Sequence, residues 1–317
     1  MSNTFQQIAA TFWHIDIVQC QVIRNDDKKL AAITATDGTR YMLKGEQQNS
    51  NNIQKICAFA NELSAILPVT TYLKTTEGSY TVTEQNIVYT LEHTLLGTAI
   101  DCLTDIHIEE IGKALGKMHR FSLEHHMTLN HATSWSMFGG NLSDAIGDYD
   151  ENELSFRDFA TAFAQEPQME EIHSLYMRYR GQLEDMWGEL PTAATQGDFC
   201  YYNMLFDEQY ISGIFDFNLA GDEVLINECV AVGIYLCWHV DYQETHSSIQ
   251  RFQRFMQAYE EQRALNSLEK NAIPALFAII RAFRYDRVED GIKDVITKEN
   301  FLEETLSILQ ETDERLF

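Results

Sequence analysis

The most constraining feature of this sequence is a pair of short apolar runs that interrupts a region of long helical patterns. Met204 to Phe206 and Ile211 to Phe215 have the length of short strands, and the turn residues Asp207 to Tyr210 separate them. On both sides, apolar residues recur every three or four positions, which is typical of amphipathic helices. The pattern therefore predicts a β-hairpin inside a helical region, and functional residues are expected around it.

Three oxygen-bearing side chains flank this hairpin. Asp198 lies five positions before Asn203, which directly precedes the first run, and Asp216 follows the second run. An isolated Asp-x4-Asn is more often a simple turn, but the added hairpin allows all three side chains to converge at one end. Phosphoryl transfer uses such a set, with one carboxylate accepting the hydroxyl proton and an amide and a second carboxylate binding Mg²⁺.

The two parts of the chain have different periodicities. The first hundred residues favour strands at His14–Arg24, Leu30–Thr36, Thr39–Lys44, Tyr72–Leu73, Tyr80–Thr83 and Ile87–Glu92, with one helix over Asn52–Leu67. The remainder favours helices from Thr104 through Leu123 and at Phe156–Ala164, Met169–Trp187, Glu223–His239, Ser248–Ala264, Glu269–Val288 and Glu299–Gln310, with a surface loop over Ser134–Asn152. We therefore predict an α+β fold in which residues 1–93 form a small antiparallel β lobe with one helix and residues 94–317 a larger, mainly helical lobe.

The charge argues against polyanionic partners. Lys and Arg number 23 against 48 Asp and Glu, giving a net charge of −25. Such a chain repels phosphate backbones and anionic lipid surfaces, so we expect no nucleic acid or membrane partner.

The six cysteines show no C-x-x-C pair and no zinc-ligand spacing, and the chain has neither a leader pattern nor a long apolar run. The expected location is the cytoplasm.

The segment Gln196 to Phe206 resembles the catalytic loop of the aminoglycoside phosphotransferase, choline kinase and type II homoserine kinase superfamily, which is similar to protein kinases. That superfamily has His-Gly-Asp, four residues, Asn, and then Ile-Asp-Phe after a short hairpin. Gly197, Asp198, Asn203 and Asp216 match, and Gln196 replaces the histidine. Leu115 to His119 resembles the helix before the catalytic loop, and Tyr89 to His93 resembles the hinge. In place of the later Tyr-Asp-Leu-Ala, this chain has Asn227 to Val230, where the resemblance leads us to expect Glu228 as a structural substitute.

The resemblance implies a protein-kinase-like, two-lobed fold that uses ATP and Mg²⁺ to phosphorylate a hydroxyl group of a small molecule. It implies Asp198 as catalytic base and Asn203 and Asp216 as Mg²⁺ ligands. Nucleotide binding is assigned to the Lys44 side chain and to the backbone of the hinge residues Glu92, His93 and Leu95. The helix should also supply a glutamate that pairs with Lys44 near Gln54 to Ile56. The acid that the helix contains is Glu62, about six residues later, and we assign it to the nucleotide site as the partner of Lys44, although a polar helix face explains it equally well.

Two alternatives remain open at this stage. The turn Arg24 to Lys29 contains no glycine to cover phosphates, and with Gln196 this favours a catalytically impaired pseudokinase that acts as a nucleotide-binding or regulatory module. A protein kinase is less well supported, because no Ala-Pro-Glu follows Asp216. His119, on an apolar helix face, fits a core histidine that braces the catalytic loop better than a catalyst.

The acceptor is predicted from the charge distribution. Residues 101–317 carry 16 basic and 39 acidic side chains, so a neutral or cationic acceptor is expected, such as a polyol, an amino alcohol or an aminated sugar. The resemblance implies an aminoglycoside, an amino alcohol or a homoserine-like compound. A zwitterion requires Arg281 or Arg284 to bind its carboxylate, whereas salt bridges to nearby acids explain these arginines equally well.

Overall fold

The computed structural model describes residues 2–133, 135–139, 150–243, 245–293 and 298–311. The chain divides into two compact units, one of Met1–Ile100 with Tyr201–Ala220 and one of Asp101–Cys200 with Gly221–Phe317. The sequence had placed the boundary after residue 93 and the hairpin in the second lobe. The hairpin instead belongs to the first unit, because isolated bridges join Val69 to Ile214 and Thr98 to Phe206.

The first unit is built on an antiparallel sheet. Its strands run in the order β1-β2-β3-β5-β4, and their bounds are β1 Ile17–Asn25, β2 Lys29–Ala35, β3 Arg40–Glu46, β4 Thr81–Glu84 and β5 Ile87–His93. Helix α1, Ser2–Trp13, packs on this sheet and was not predicted from the sequence. Its apolar residues recur at helical spacing and join the core of β2, β3 and β5, with Phe5, Ile8, Trp13, Ile33, Leu43 and Leu91 among the buried residues.

Helix α2, Ser50–Leu63, forms where a helix was predicted. The Asn49 side chain caps it by accepting from the backbone N–H groups of Asn51 and Asn52. Near its end, the Asn61 side chain donates to the Tyr72 carbonyl at 2.9 Å and accepts from the Tyr72 N–H at 2.7 Å. Tyr72 in turn forms an isolated antiparallel β-bridge with Glu92 of β5. The helix is therefore fastened to the segment that lies beside β5.

The predicted hairpin is present. A short 3-10 helix, Tyr201–Asn203, leads into β7, Met204–Asp207, which pairs with β8, Tyr210–Ile214. Phe217, which follows β8, packs edge-on against Phe59 of α2 at 6.2 Å between ring centroids.

The second unit is mainly helical. It contains α3 Asp105–Glu124, α4 Glu151–Ala162, α5 Met169–Trp187, α6 Leu225–Trp238, α7 Ser248–Glu260, α8 Ser267–Ala282, α9 Tyr285–Lys293 and α10 Lys298–Gln310. Strands β6, Thr192–Thr195, and β9, Gly221–Val224, form an antiparallel pair that the sequence did not predict. The single helix predicted over Glu269–Val288 is two helices, α8 and α9. The predicted loop 134–152 falls largely outside the described residues.

The core of this unit surrounds α6, whose side chains are buried nearly all around. Helix α3 begins at the predicted cap Thr104, whose hydroxyl accepts from the His107 N–H while the His107 ring accepts from the Thr104 N–H. Among the described residues, no helix combines the length and the apolarity needed to cross a membrane.

Candidate active site

The first unit holds a buried ion pair between Lys44 and Glu92. The Lys44 Nζ lies 2.9 Å from the Glu92 Oε1, and the side chains are 22% and 6% exposed. The prediction that Glu62 pairs with Lys44 is wrong, because Glu62 lies exposed on α2, away from the helix face that packs inward. In the sheet, Lys44 is paired with Thr90, and Glu92 lies two residues further along β5 on the same face.

Three further groups act on this pair. Burial lowers the pKa of Lys44, but the charges of Glu92 and Asp216 outweigh burial, and the net pKa is raised. Cys57 of α2 and Tyr72 are both buried, and burial together with the charge of Glu92 raises the pKa of each. Lys44 is therefore protonated. The charges of two carboxylates, Glu92 and Asp216, act on it, while the Cys57 thiol and the Tyr72 hydroxyl stay neutral.

Asn203 and Asp216 stand at the same end of the β7–β8 hairpin. Phe215 donates its backbone N–H to the Asn203 carbonyl at 3.0 Å, and the next residue along the chain is Asp216. Asn203 is buried, at 5% exposed. Asp216 has a φ of +61°, in the left-handed region that side chains other than glycine rarely adopt. Strained backbone of this kind is concentrated at functional sites, where the fold holds it in place.

The donors at this hairpin fit a hard cation. An amide oxygen and a carboxylate suit Mg²⁺, which takes few protein ligands and completes its shell with water and phosphate oxygens. Among the described residues, no group of three or more His, Cys, Asp or Glu is arranged to hold a metal ion. The Asn203 amide and the Asp216 carboxylate are nevertheless of the donor types that Mg²⁺ prefers.

The predicted hinge residues lie at different places. Glu92 pairs with Met42 of β3 and bridges Tyr72, and the His93 N–H donates to the Thr71 carbonyl at 2.9 Å. The backbone of Glu92 and His93 therefore belongs to the sheet. Leu95 lies beyond the end of β5. Its side chain packs so closely on Gly213 of β8 that a Cβ atom added to this glycine would lie 3.0 Å from the Leu95 Cδ1.

Asp198 lies in the second unit, in the loop that follows β6. Its backbone N–H donates to the side-chain oxygen of Gln196 at 2.8 Å, and its carboxylate accepts from the Cys200 thiol at 3.2 Å. Gly197, with a φ of +80°, makes the turn between them. Gln196, which replaces the histidine of the resembled pattern, is fully buried and acts as a support for the Asp198 backbone.

A buried polar network supports the loop that contains Asp198. The His119 Nε2 lies 2.7 Å from the Glu228 Oε2, and the His119 Nδ1 lies 2.8 Å from the Tyr259 hydroxyl. Burial lowers the pKa of His119, so the ring is neutral and its N–H donates to Glu228. Glu228 also accepts from the Thr195 hydroxyl and, at 3.2 Å, from the Gly197 N–H. The structure thus agrees with the interpretation of His119 as a brace.

Asp198 also acts electrostatically on Tyr285, which was not predicted as a site residue. Burial raises the pKa of Tyr285, as do the charges of Asp286, Glu151 and Asp198, whereas the charge of Arg284 lowers it. Burial raises the pKa of Glu151 to about 7. The signal in the sequence was the arginine-rich segment 281–287, which was considered for its arginines rather than for Tyr285.

The two arginines considered for a substrate carboxylate both have acidic partners. Arg281 lies 2.7 Å from the Glu311 carboxylate, and Arg284 lies 2.8 Å from the Asp286 carboxylate. Beside them is a cavity of about 580 Å³, lined by Trp238, His239, Arg281, Asp286, Arg287, Asp290, Gly291, Phe301, Glu304 and Ile308. The lining is mixed in charge, and no arginine of the pair is left to bind an anion alone.

Comparisons with known proteins agree with the family resemblance. The sequence profile of the phosphotransferase enzyme family matches residues 91–261. A homoserine kinase of Rhodopseudomonas palustris (strain BisB5) is 25% identical over 171 residues, which are 54% of this chain and 47% of that protein. A homoserine kinase of Polaromonas naphthalenivorans (strain CJ2) is 32% identical over 88 residues, 27% of each chain. The matches span less than half the length of these curated relatives.

Solved structures confirm the predicted fold class. An amicoumacin kinase, in complex with AMP-PNP, Ca²⁺ and its ligand, aligns with a TM-score of 0.63 at 14% identity, covering 98% of this chain and 93% of that one. An aminoglycoside phosphotransferase of Alicyclobacillus acidocaldarius aligns with a TM-score of 0.62 at 13% identity, covering 96% and 95%. A microcompartment-associated aminopropanol kinase aligns with a TM-score of 0.60 at 13% identity, covering 98% and 95%.

Proposed function

Because the chain belongs to the phosphotransferase enzyme family, we propose that it transfers the γ-phosphoryl group of ATP to a hydroxyl group of a small molecule in the presence of Mg²⁺. The observation that carries this proposal is the cluster in the first unit, where Asp216 follows the hairpin strand next to Asn203 and its charge acts on Lys44. A cation and two hard oxygen ligands are the groups that a nucleotide triphosphate with Mg²⁺ requires.

In this proposal, the first unit binds the nucleotide. Lys44, which is protonated in spite of its burial, donates to phosphate oxygens. Asp216 and Asn203 hold Mg²⁺, which supplies charge neutralisation at the phosphates when it is bound. Since the Glu92 and His93 backbone belongs to the sheet, the purine contact of the hinge falls to the backbone at Leu95.

The second unit supplies the base. The Asp198 carboxylate, half-buried and held by Gln196 and Cys200, accepts the proton of the acceptor hydroxyl as the oxygen attacks the γ-phosphorus. Because the transition state of phosphoryl transfer is loose, positioning and charge stabilisation contribute most of the rate, and proton transfer comes late. The network from Tyr259 through His119 and Glu228 to Gly197 supports this positioning.

The proposed acceptor is a hydroxyl compound that also carries an amino group. The charges of Glu151 and Asp198 both act on Tyr285, and Asp286, which also acts on it, is paired with Arg284, so Glu151 is the acid that supports binding of a protonated amine beside the proposed base. The printed names of similar proteins, homoserine kinase, aminopropanol kinase and aminoglycoside phosphotransferase, all refer to compounds with both groups. The overall acidity of the chain supports the same choice.

The experiment is a panel of acceptors in a coupled assay of ADP release, run at low and high salt. The panel contains amino alcohols, hydroxy amino acids, aminoglycosides, polyols and sugar phosphates. We expect turnover with aminated acceptors and a KM that rises with ionic strength, because salt screens the attraction between an ammonium group and carboxylates. A preference for sugar phosphates would contradict the acceptor class. Binding of MgATP without turnover on any acceptor would favour the pseudokinase alternative instead.

A further inference from the structure

We propose that Glu92 is the positioning residue for Lys44, replacing the helix glutamate that the family resemblance led us to expect on α2. The proposal rests on the proposed function, in which Lys44 binds the nucleotide phosphates. It assigns the Glu92 side chain a role that is separate from the hinge role first predicted for its backbone.

Where a glutamate was expected on helix α2, the side chains make other contacts. The Gln54 side chain accepts from the Tyr80 N–H at 3.0 Å and donates to the Thr81 hydroxyl at 3.1 Å, so it is directed at β4 and the segment before it. The α2 residue whose thiol lies near Lys44 and Glu92 is Cys57, which is fully buried. Burial raises the pKa of that thiol, so it stays protonated and contributes no negative charge. The acid of α2, Glu62, is exposed.

The sheet supplies the missing acid. Lys44 pairs with Thr90 and Met42 pairs with Glu92, so Lys44 and Glu92 are diagonal neighbours on one face of adjacent strands. The distance of 2.9 Å between Nζ and Oε1 is that of a charge-assisted hydrogen bond. On its other side, Glu92 forms an isolated β-bridge with Tyr72. The side chain of Asn61 on α2 makes hydrogen bonds to both backbone groups of Tyr72.

This arrangement has two consequences. The orientation of Lys44 is fixed by the register of β3 against β5, because both partners lie in one hydrogen-bonded sheet and the pair needs no acid from the helix. The negative charge of Glu92 also offsets the burial of Lys44 and keeps the ammonium protonated. Removing that charge therefore changes a chemical property of Lys44 as well as its position.

The first test measures the reactivity of Lys44 and needs neither substrate nor turnover. An N-hydroxysuccinimide ester acylates the neutral amine, and peptide mass spectrometry reports the rate at Lys44, whose side chain is 22% exposed. Glu92→Gln is expected to raise that rate at pH 8 by about tenfold or more, the effect of lowering the pKa by one unit. The matched control is Glu84→Gln, which removes an exposed acid from β4 of the same sheet and should leave the rate unchanged.

The second test measures MgADP binding by titration calorimetry. Glu92→Gln is expected to weaken it by about tenfold, and the variant should lose further affinity at a lower pH than the wild type does, because Lys44 loses its proton earlier without the Glu92 charge. In the double variant Cys57→Glu with Glu92→Gln, which moves the acid back to α2, binding should recover at least in part. A purely structural role for Glu92 predicts neither the pH dependence nor this recovery.

Two results would overturn the proposal. One is a Glu92→Gln protein that is acylated and binds MgADP like the wild type, and the other is the same loss of binding in Glu62→Gln. If Glu92→Gln does not fold, Glu92→Asp takes its place: it keeps the charge and slow acylation, but its shorter reach should weaken MgADP binding several-fold, and unchanged binding would overturn the proposal. Wild-type protein that fails to bind MgADP contradicts the proposed function, while acylation still tests the Lys44–Glu92 pair.

Discussion

The imidazole of His119 donates to the carboxylate of Glu228 across 2.7 Å, with both side chains fully buried. This hydrogen bond joins α3 to α6, and the same carboxylate accepts from Thr195 and from the Gly197 N–H, one residue before Asp198. Buried polar networks of this kind are rigid when every member is satisfied. Glu228 therefore fixes the backbone from which Asp198 projects.

We expect Glu228→Ala to destabilise the protein and to impair turnover more than nucleotide binding. The change leaves three buried donors without their acceptor, and each unsatisfied group costs about 1–3 kcal/mol. Urea unfolding should show a loss of about 3 kcal/mol or more, and the surviving folded protein should bind MgATP while turning over slowly. Glu260→Ala, which breaks an exposed pair with Lys270, is the control and should cost at most about 1 kcal/mol.

The two proposed Mg²⁺ ligands should differ in importance. Asp216 provides a charged ligand and Asn203 a neutral one, so Asp216→Ala should lose Mg²⁺-dependent nucleotide binding and Asn203→Ala should only weaken it. Titration calorimetry with ATP, with and without Mg²⁺, measures both. Intact MgATP binding in Asp216→Ala would mean that the hairpin is not the metal site.

The buried carboxyl group of Glu223 gives the stability a pH dependence. Burial raises its pKa from 4.5 to about 7, against hydrogen bonds from Thr133 and Asn227 that lower it. A pKa raised in the folded state means that the contribution to stability is fully present below about pH 4.5 and is lost as pH rises through 7. The shift corresponds to about 3 kcal/mol between pH 4.5 and pH 8.

Glu223→Gln should remove this dependence, so the wild type should lose stability relative to the variant as pH rises from 5 to 8. Unfolding in urea at several pH values measures the difference between the two proteins. His119 and His239, whose pKa values burial lowers, titrate in both proteins and cancel. Parallel pH profiles would show that Glu223 is not the group responsible.

Glu151 should affect the acceptor more than the nucleotide. Its pKa, which burial raises to about 7, means that the carboxylate forms as pH rises from 6 to 8. The KM for an aminated acceptor should therefore fall over this range, and Glu151→Gln should abolish the fall while changing the KM for ATP little. An unchanged acceptor KM profile in Glu151→Gln would remove Glu151 from the proposed acceptor site.

The sequence predicted the parts of the fold that depend on local pattern. The 3.6-residue periodicity of α5 gave its bounds, Met169–Trp187, and the alternation around Asp207 to Tyr210 gave the hairpin. The short strands β6 and β9 were missed, because four residues carry little periodicity and β9 runs directly into the apolar helix α6. α9 was merged with α8 because the apolar pattern continues across Phe283.

The candidate site was predictable where spacing along the chain decides it and not where contacts across the fold do. Asp198, Asn203 and Asp216 come from one segment, so their pattern is visible in the sequence. The partner of Lys44 depends on the register of β3 against β5, which a single sequence does not reveal, and the nearest acid on the helix was chosen instead of Glu92. The acids whose charges act on Tyr285, Asp198 among them, come from α4, α9 and the loop after β6, which lie far apart along the chain.

The central claim is that Asp198 is the base of a phosphoryl transfer to a hydroxyl group. The most direct measurement compares acceptor-dependent ADP release by the wild type and by Asp198→Asn, together with MgATP affinity and melting temperature. We predict that Asp198→Asn folds and binds MgATP like the wild type while turnover falls by about 100-fold or more, the scale for loss of a positioned base. Turnover at the wild-type rate in the purified variant would contradict the claim.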